Sequence, residues 1–244
     1  MSRTIAIIQA RVGSSRLPSK VLADIGGRTM LDRVVARVRR ARRIDEVVVA
    51  TTSQPADDAV AEECERIRAP TFRGSEQDVL DRYYKAAAAF EAGSVVRITS
   101  DCPLIDPGVV DQVVAEFVMS GSDYASNSLV ASYPRGLDTE VMTMSALSTA
   151  WSLATQPYER VHVTPYLYQH PARFRLRNVA YEEDLSTHRW TVDTPDDLAL
   201  VRRIYERLGN RVDVVWTDAL AVVRGDPAIS ALNAHVRQKA LEEG

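Results

Sequence analysis

Thr4-Ile-Ala-Ile-Ile-Gln-Ala-Arg-Val-Gly-Ser-Ser-Arg-Leu-Pro-Ser-Lys20 begins as an apolar run and ends as a basic loop. Ile5 to Ile8 reads as a buried strand. The loop that follows is made of small residues and carries Arg11, Arg16 and Lys20. Small residues let backbone N–H groups approach a polyanion, and three cations offset its charge. Such a strand-loop unit suits a nucleoside triphosphate. The Walker pattern G-x-x-x-x-G-K-[ST] is absent, and so is G-x-G-x-x-G.

Outward from this unit, strand-like runs at 46–50, near Thr71 and at 94–98 alternate with helical patterns at 30–41, 57–66 and 78–90. That alternation predicts an α/β fold: a Rossmann-like, mostly parallel sheet with helices on both faces. Ligands of such sheets bind beyond the strand C-termini, where the segments after Gln9 and Ile98 emerge. Asp106-Pro107 marks the start of a further helix. Residues from about 122 to 188 hold polar turns, five prolines or glycines at 134, 136, 157, 165 and 171, and short strand patterns. They read as an inserted lid or dimerisation subdomain within a single domain spanning 1–244. The chain then returns to a strand at 190–192 and a helix at 195–208, and about 216–242 reads as two helices.

The 244 residues carry a net charge of −3, which implies no general affinity for nucleic acid or membranes. Six arginines between Arg33 and Arg43 share a segment with the apolar stripe Met30, Leu31, Val34, Val35 and Val38, so they are expected on a solvated outer face. Cys64 and Cys102 have no metal-ligand spacing and fit a reducing compartment. With no basic-apolar leader and no apolar run near ~18 residues, a cytoplasmic protein is expected.

Gln9-Ala-Arg-Val-Gly-Ser-Ser-Arg-Leu-Pro-Ser-Lys20 resembles the signature loop of cytidylyltransferases that activate acidic sugars, in the spore-coat-polysaccharide branch of the acylneuraminate type. Further segments follow in the family's order: Ile44 to Thr52, Phe72 to Ser75 with Asp78 to Tyr83, and Arg97 to Asp106. Gly136 to Glu140, His162 to Pro165 and Arg189 to Pro195 complete the set. The chain departs from the pattern at Ser19 and Ser100, where glycine is expected.

The resemblance implies a nucleotide-diphospho-sugar transferase fold and a Mg²⁺-dependent transfer of CMP from CTP to a small acidic acceptor, with release of pyrophosphate. Arg11, Lys20, Asp101 and Asp193 are the implied catalytic residues, and Asp101 and Asp193 the implied Mg²⁺ ligands. Mg²⁺ commonly takes one or two carboxylates plus phosphate oxygens and water. Asp193 could also cap the helix that follows it and do both jobs. Ala10, Gly13, Ser14 and Arg16 complete the phosphate loop. Thr51, Thr52, Arg73, Gly74 and Ser75 are implied at the cytosine. Asp78 and Arg82 either join them or form an i,i+4 ion pair.

Arg135, Arg160, His162 and Arg189 supply positive charge on the acceptor side, and Asn127, Asp138 and Glu140 could bind hydroxyls or order the arginines. Four cationic side chains suggest a carboxylated sugar or a small phosphonate. Transfer from another nucleotide, transfer to a sugar phosphate, and a non-catalytic nucleotide-binding module are the alternatives. Tyr133, Tyr158, Tyr166 and Tyr168 offer apolar surface for a homodimer.

Overall fold

A computed structural model of the protein describes residues 3–238. In chain order the elements are β1 Thr4–Gln9, α1 Met30–Val38, β2 Glu46–Thr52, α2 Asp58–Arg66, β3 Thr71–Gly74, α3 Val79–Ala89, β4 Ser94–Thr99 and α4 Pro107–Ser120. They continue as β5 Tyr124–Ser126, β6 Glu140–Thr143, α5 Met144–Leu153, α6 Pro157–His162, α7 Pro165–Tyr168 and β7 Leu176–Asn178. Three helices follow: α8 Pro195–Arg207, α9 Trp216–Gly225 and α10 Pro227–Ala231.

One seven-stranded sheet runs β3-β2-β1-β4-β6-β5-β7. β3, β2, β1 and β4 are mutually parallel, as the alternation predicts. β6 runs antiparallel between β4 and β5, and β7 pairs parallel with β5. Residues 122–188 therefore extend the same sheet. Alternation along β1 divides the core: Ala6 and Ile8 face α1, α4, α8 and α9, whereas Ile5 and Ile7 face α3, α5 and α7.

Helix starts follow local chemistry. Thr29 accepts the Asp32 N–H at the head of α1, and Asp106 accepts the N–H groups of Gly108 and Val109 behind Pro107. At α8 the cap is Thr194, paired reciprocally with Asp197, so Asp193 is not the capping residue.

Three expectations change. Trp190–Val192 is not a strand. Its N–H groups reach loop carbonyls instead, Trp190 to Arg135 and Val192 to Asp101, because its neighbours there are loops. Arg33 and Arg37 are fully buried rather than solvated. Arg33 donates to the carbonyls of Ile25, Gly26 and Asn210, and Arg37 to those of Ile105, Val212 and Val214. Tyr133 and Tyr166 are buried in the protein's own core and offer no dimer surface. The C-terminal pair of helices is α9 and the short α10; residues 239–242 lie outside those described. No helix among the described residues is long and apolar enough to cross a membrane.

Candidate active site

β1 and β4 lie side by side, with Gln9 opposite Thr99, so the loop 10–19 and Asp101 leave the same sheet edge. The loop folds back on itself, as Ser14 and Ser19 both donate to the Val12 carbonyl at 2.8 and 2.9 Å. Ser19 takes φ +56°, the left-handed conformation in which glycine is unstrained. That is a backbone reason for glycine at this position. Ser100 is buried. Asp57, which sequence reasoning missed, pins the loop. It is buried, accepts the Val12 N–H at 2.7 Å and accepts the Thr52 hydroxyl.

Lys20 enters the centre of the site. Its Nζ donates to Asp101 at 3.0 Å, to Asp193 at 2.9 Å and to the Val192 carbonyl at 2.7 Å. Burial alone would lower the Lys20 pKa, but the two carboxylates outweigh it and raise it. Asp193 also meets Arg16 at 3.1 Å and Arg189 at 2.6 Å. Burial would raise the Asp193 pKa, but Lys20, Arg189 and Arg16 hold it below the usual carboxylate range. Arg11 is more exposed and faces Glu76 at 3.5 Å.

The implied base residues largely hold one another. Thr52 is committed to Asp57. Arg73 donates to the carbonyls of Thr52 and Gln54, and Ser75 Oγ accepts the Asp78 N–H. Thr51 is buried beside them, and Ala10, Gly13 and Gly74 bring backbone to the same sheet edge. Asp78 caps α3 and binds Arg160 through both carboxylate oxygens, while Arg82 donates to the Ser75 carbonyl. The i,i+4 pair between Asp78 and Arg82 therefore does not form, since each side chain has a partner elsewhere.

Beside the central ion cluster lies a cleft of about 630 Å³. Of the seven residues expected on the acceptor side, Arg135, Asp138, Glu140 and His162 line it. The other three serve scaffolding. Asn127 is buried, donating to the Leu137 carbonyl and accepting the Thr139 N–H, so it braces the loop that bears Asp138. Arg160 is held by Asp78 and the Trp151 carbonyl. Arg189 is held by Asp193 and Asp197.

Glu140 is nearly buried. It accepts from Arg97, which lies opposite it across β4 and β6, and from the hydroxyls of Tyr124 and Thr164 at 2.6 Å each. It orders an arginine, but one that sequence reasoning had not placed in the site. A charge inside the apolar run Val95-Val96-Arg97-Ile98 was the available signal, because a buried charge needs a partner. Gln9, Tyr168 and Gln238 also line the cleft and carried no such signal. Burial lifts the Asp138 carboxyl above the usual carboxylate range, against the opposing effect of the Gly136 N–H.

No group of three or more His, Cys, Asp or Glu among the described residues could hold a metal ion by itself. Two carboxylates from different loops do converge, however, on the single Lys20 ammonium. That donor set fits Mg²⁺ as a hard cation shared with phosphate oxygens and water. Asp101 and Asp193 are the residues that would hold it.

A mostly parallel sheet with a basic loop and facing carboxylates at the C-terminal ends of β1 and β4 is an α/β architecture suited to binding phosphates. The family profile described as cytidylyltransferase matches residues 5–214, and the chain belongs to that family. It is 36% identical to an uncharacterized protein of Methanocaldococcus jannaschii, over 99% of this chain and 98% of the other. It is 34% identical to the spore coat polysaccharide biosynthesis protein SpsF of Bacillus subtilis, over 93% and 96%. Among solved structures, a cytidylyltransferase from Leptospira borgpetersenii superposes with a TM-score of 0.91 at 30% identity, covering 98% of this chain and 100% of that one.

Proposed function

We propose that this cytidylyltransferase moves CMP from CTP to a small acidic sugar or related acid, releasing pyrophosphate in a Mg²⁺-dependent reaction. The observation that carries the reading is Lys20 Nζ bridging Asp101 and Asp193 at the mouth of the cleft. Nucleotidyl transfer puts negative charge on the α-phosphate and on the departing pyrophosphate. Lys20, Arg16 and Arg11 are the cations that offset it, and Lys20 would exchange carboxylate partners for phosphate oxygens. Mg²⁺ held by Asp101 and Asp193 would add Lewis-acid charge stabilisation.

The wall of the acceptor cleft mixes polar and apolar surface and includes Arg135, Asp138, Tyr124, Thr164 and His162. Of the arginines in its wall, Arg16 faces Asp193 and Arg97 faces Glu140, so Arg135 together with several hydroxyl-binding groups suits a polyhydroxylated acceptor with one acidic group. The similarity to a spore coat polysaccharide biosynthesis protein agrees with a sugar. A phosphonate oxygen attacks as an anion and needs no base. A sugar hydroxyl, by contrast, must give up its proton to solvent as its bond to the α-phosphorus forms and the bond to pyrophosphate breaks. Orientation and electrostatics supply the rest of the rate.

The test is pyrophosphate release with each of the four nucleoside triphosphates and Mg²⁺, against a panel of carboxylated sugars, a sugar phosphate and a phosphonate. CTP with an acidic sugar should exceed ATP, GTP and UTP by orders of magnitude, because base-edge hydrogen bonds discriminate strongly. Equal rates with all four nucleotides would reject the cytidylyl reading. Release with CTP only alongside the sugar phosphate would reject the acidic acceptor.

A further inference from the structure

The family match ends at residue 214, yet the chain beyond it returns to the catalytic cluster. Asn233 follows α10 and is 5% exposed. Its Nδ2 donates to the Arg189 carbonyl at 3.0 Å and to Asp197 Oδ1 at 2.7 Å. Asp197 has a fully buried side chain and is the hub of this region. Its Oδ1 also accepts from Arg189 Nε at 3.0 Å. Its Oδ2 accepts the N–H groups of Asp193 and Thr194, both at 3.0 Å. Arg189 then reaches Asp193 Oδ2 through Nη2 at 2.6 Å. Further along the same segment, Gln238 Oε1 accepts from Arg189 Nη1 at 2.5 Å and lines the cleft.

We propose that Asn233 is a positioning residue for the transfer reaction: by fixing Asp197 and the Arg189 backbone, it fixes the carboxylate of Asp193. The inference rests on the reading that Asp193 works on the Mg²⁺-bound nucleotide. The chemistry at position 233 is specific. Both neighbours, a carboxylate and a carbonyl, are acceptors, so the residue between them must present two donors, which an amide NH₂ does. An aspartate has the same shape but would set two carboxylates face to face without a donor between them. Asp197 has several partners, so losing one loosens the hub without dismantling α8. A carboxylate only slightly misplaced loses much of its effect on a reacting group.

Calorimetric titration of CTP with Mg²⁺, in the absence of any acceptor, tests this without relying on turnover. Four proteins are compared: wild type, Asn233→Ala, Asp193→Asn and the double variant, each with its thermal unfolding midpoint. Asn233→Ala is expected to weaken Mg²⁺–CTP about tenfold in the wild-type background and to have no further effect once Asp193 is Asn, since sites acting through one group are not additive. Asn233→Asp should weaken it at least as much, and Asn233→Gln should recover part of the loss if it folds with a near-wild-type midpoint. Equal losses in both backgrounds, or no loss, would overturn the positioning role. If Asp193→Asn itself left Mg²⁺–CTP affinity unchanged, the functional reading of Asp193 would fail as well. That outcome is distinct from a failure confined to Asn233.

Discussion

Arg135 and Arg189 stand one bridge apart across a pair of loops, and their charges serve different ends. Arg135 faces the cleft, whereas the guanidinium of Arg189 is spent on Asp193 and Asp197. Arg135→Ala should therefore raise the acceptor KM roughly ten- to a hundredfold, the worth of a charge-assisted hydrogen bond, and leave CTP affinity near that of wild type. Arg189→Ala should lower kcat for every acceptor, because it releases Asp193. Steady-state kinetics beside CTP titration separates the two, and a raised acceptor KM at constant kcat for Arg189→Ala would contradict the assignment. The sequence made the charges of this site legible, along with the loop and motif order that bring Lys20, Asp101 and Asp193 together. It did not make legible which carboxylate each arginine faces. Arg160 and Arg189 look like Arg135 in one dimension, and only the fold sets them against Asp78 and Asp197.

Elements were legible wherever local chemistry sets their ends. β1 spans Thr4–Gln9 because an apolar run meets small loop residues, and α4 starts where Asp106-Pro107 can cap it. Trp190–Val192 misled because its hydrophobic alternation is satisfied by burial against loops, with ladder bonds replaced by contacts to Arg135 and Asp101. The close approach of those loops depends on Gly136. Its φ is +109°, and a Cβ there would lie 2.8 Å from both the Thr191 nitrogen and the Trp190 carbonyl carbon. Both contacts are backbone, so neither can swing away. Gly136→Ala should destabilise the protein by about 1–3 kcal/mol or more and separate the 135–138 loop from the 189–193 loop. Lower kcat and a higher acceptor KM are both expected, since Asp138 and Asp193 ride on the two loops. A variant with wild-type kinetics and an unchanged thermal midpoint would show that the loops tolerate separation.

At the scale of the whole molecule, the buried arginines of α1 tie residues 25–26 and 104–106 to residues 210–214. An arginine beside an apolar helical stripe is ordinarily solvated, and helical periodicity alone places all six that way. What periodicity omits is a groove lined with loop carbonyls. Arg37 fills one, donating to Leu104, Ile105, Val212 and Val214 with Asp106 at 3.7 Å, and Arg33 sits over the Tyr205 ring while binding Asn210. Burial lowers the Arg33 pKa, with the neighbouring cations Arg28 and Arg37 adding to that effect. The guanidinium stays protonated at neutral pH because its free pKa is so high. These contacts hold residues 210–214, and so the start of the segment that returns through α9 and α10 to Asn233, against the parallel half of the sheet. Arg37→Met keeps much of the volume and strands several buried acceptors, so it should cost about 3–5 kcal/mol. Arg42→Met, whose side chain is exposed, should fall within about 0.5 kcal/mol of wild type. Urea unfolding measures both. Because Arg37 ties the C-terminal segment down, its loss should also weaken amide-exchange protection in α9 and α10 before the sheet opens. Equal, small costs for the two variants would mean that the buried arginine is replaceable and that the C-terminal segment is anchored by its apolar contacts alone.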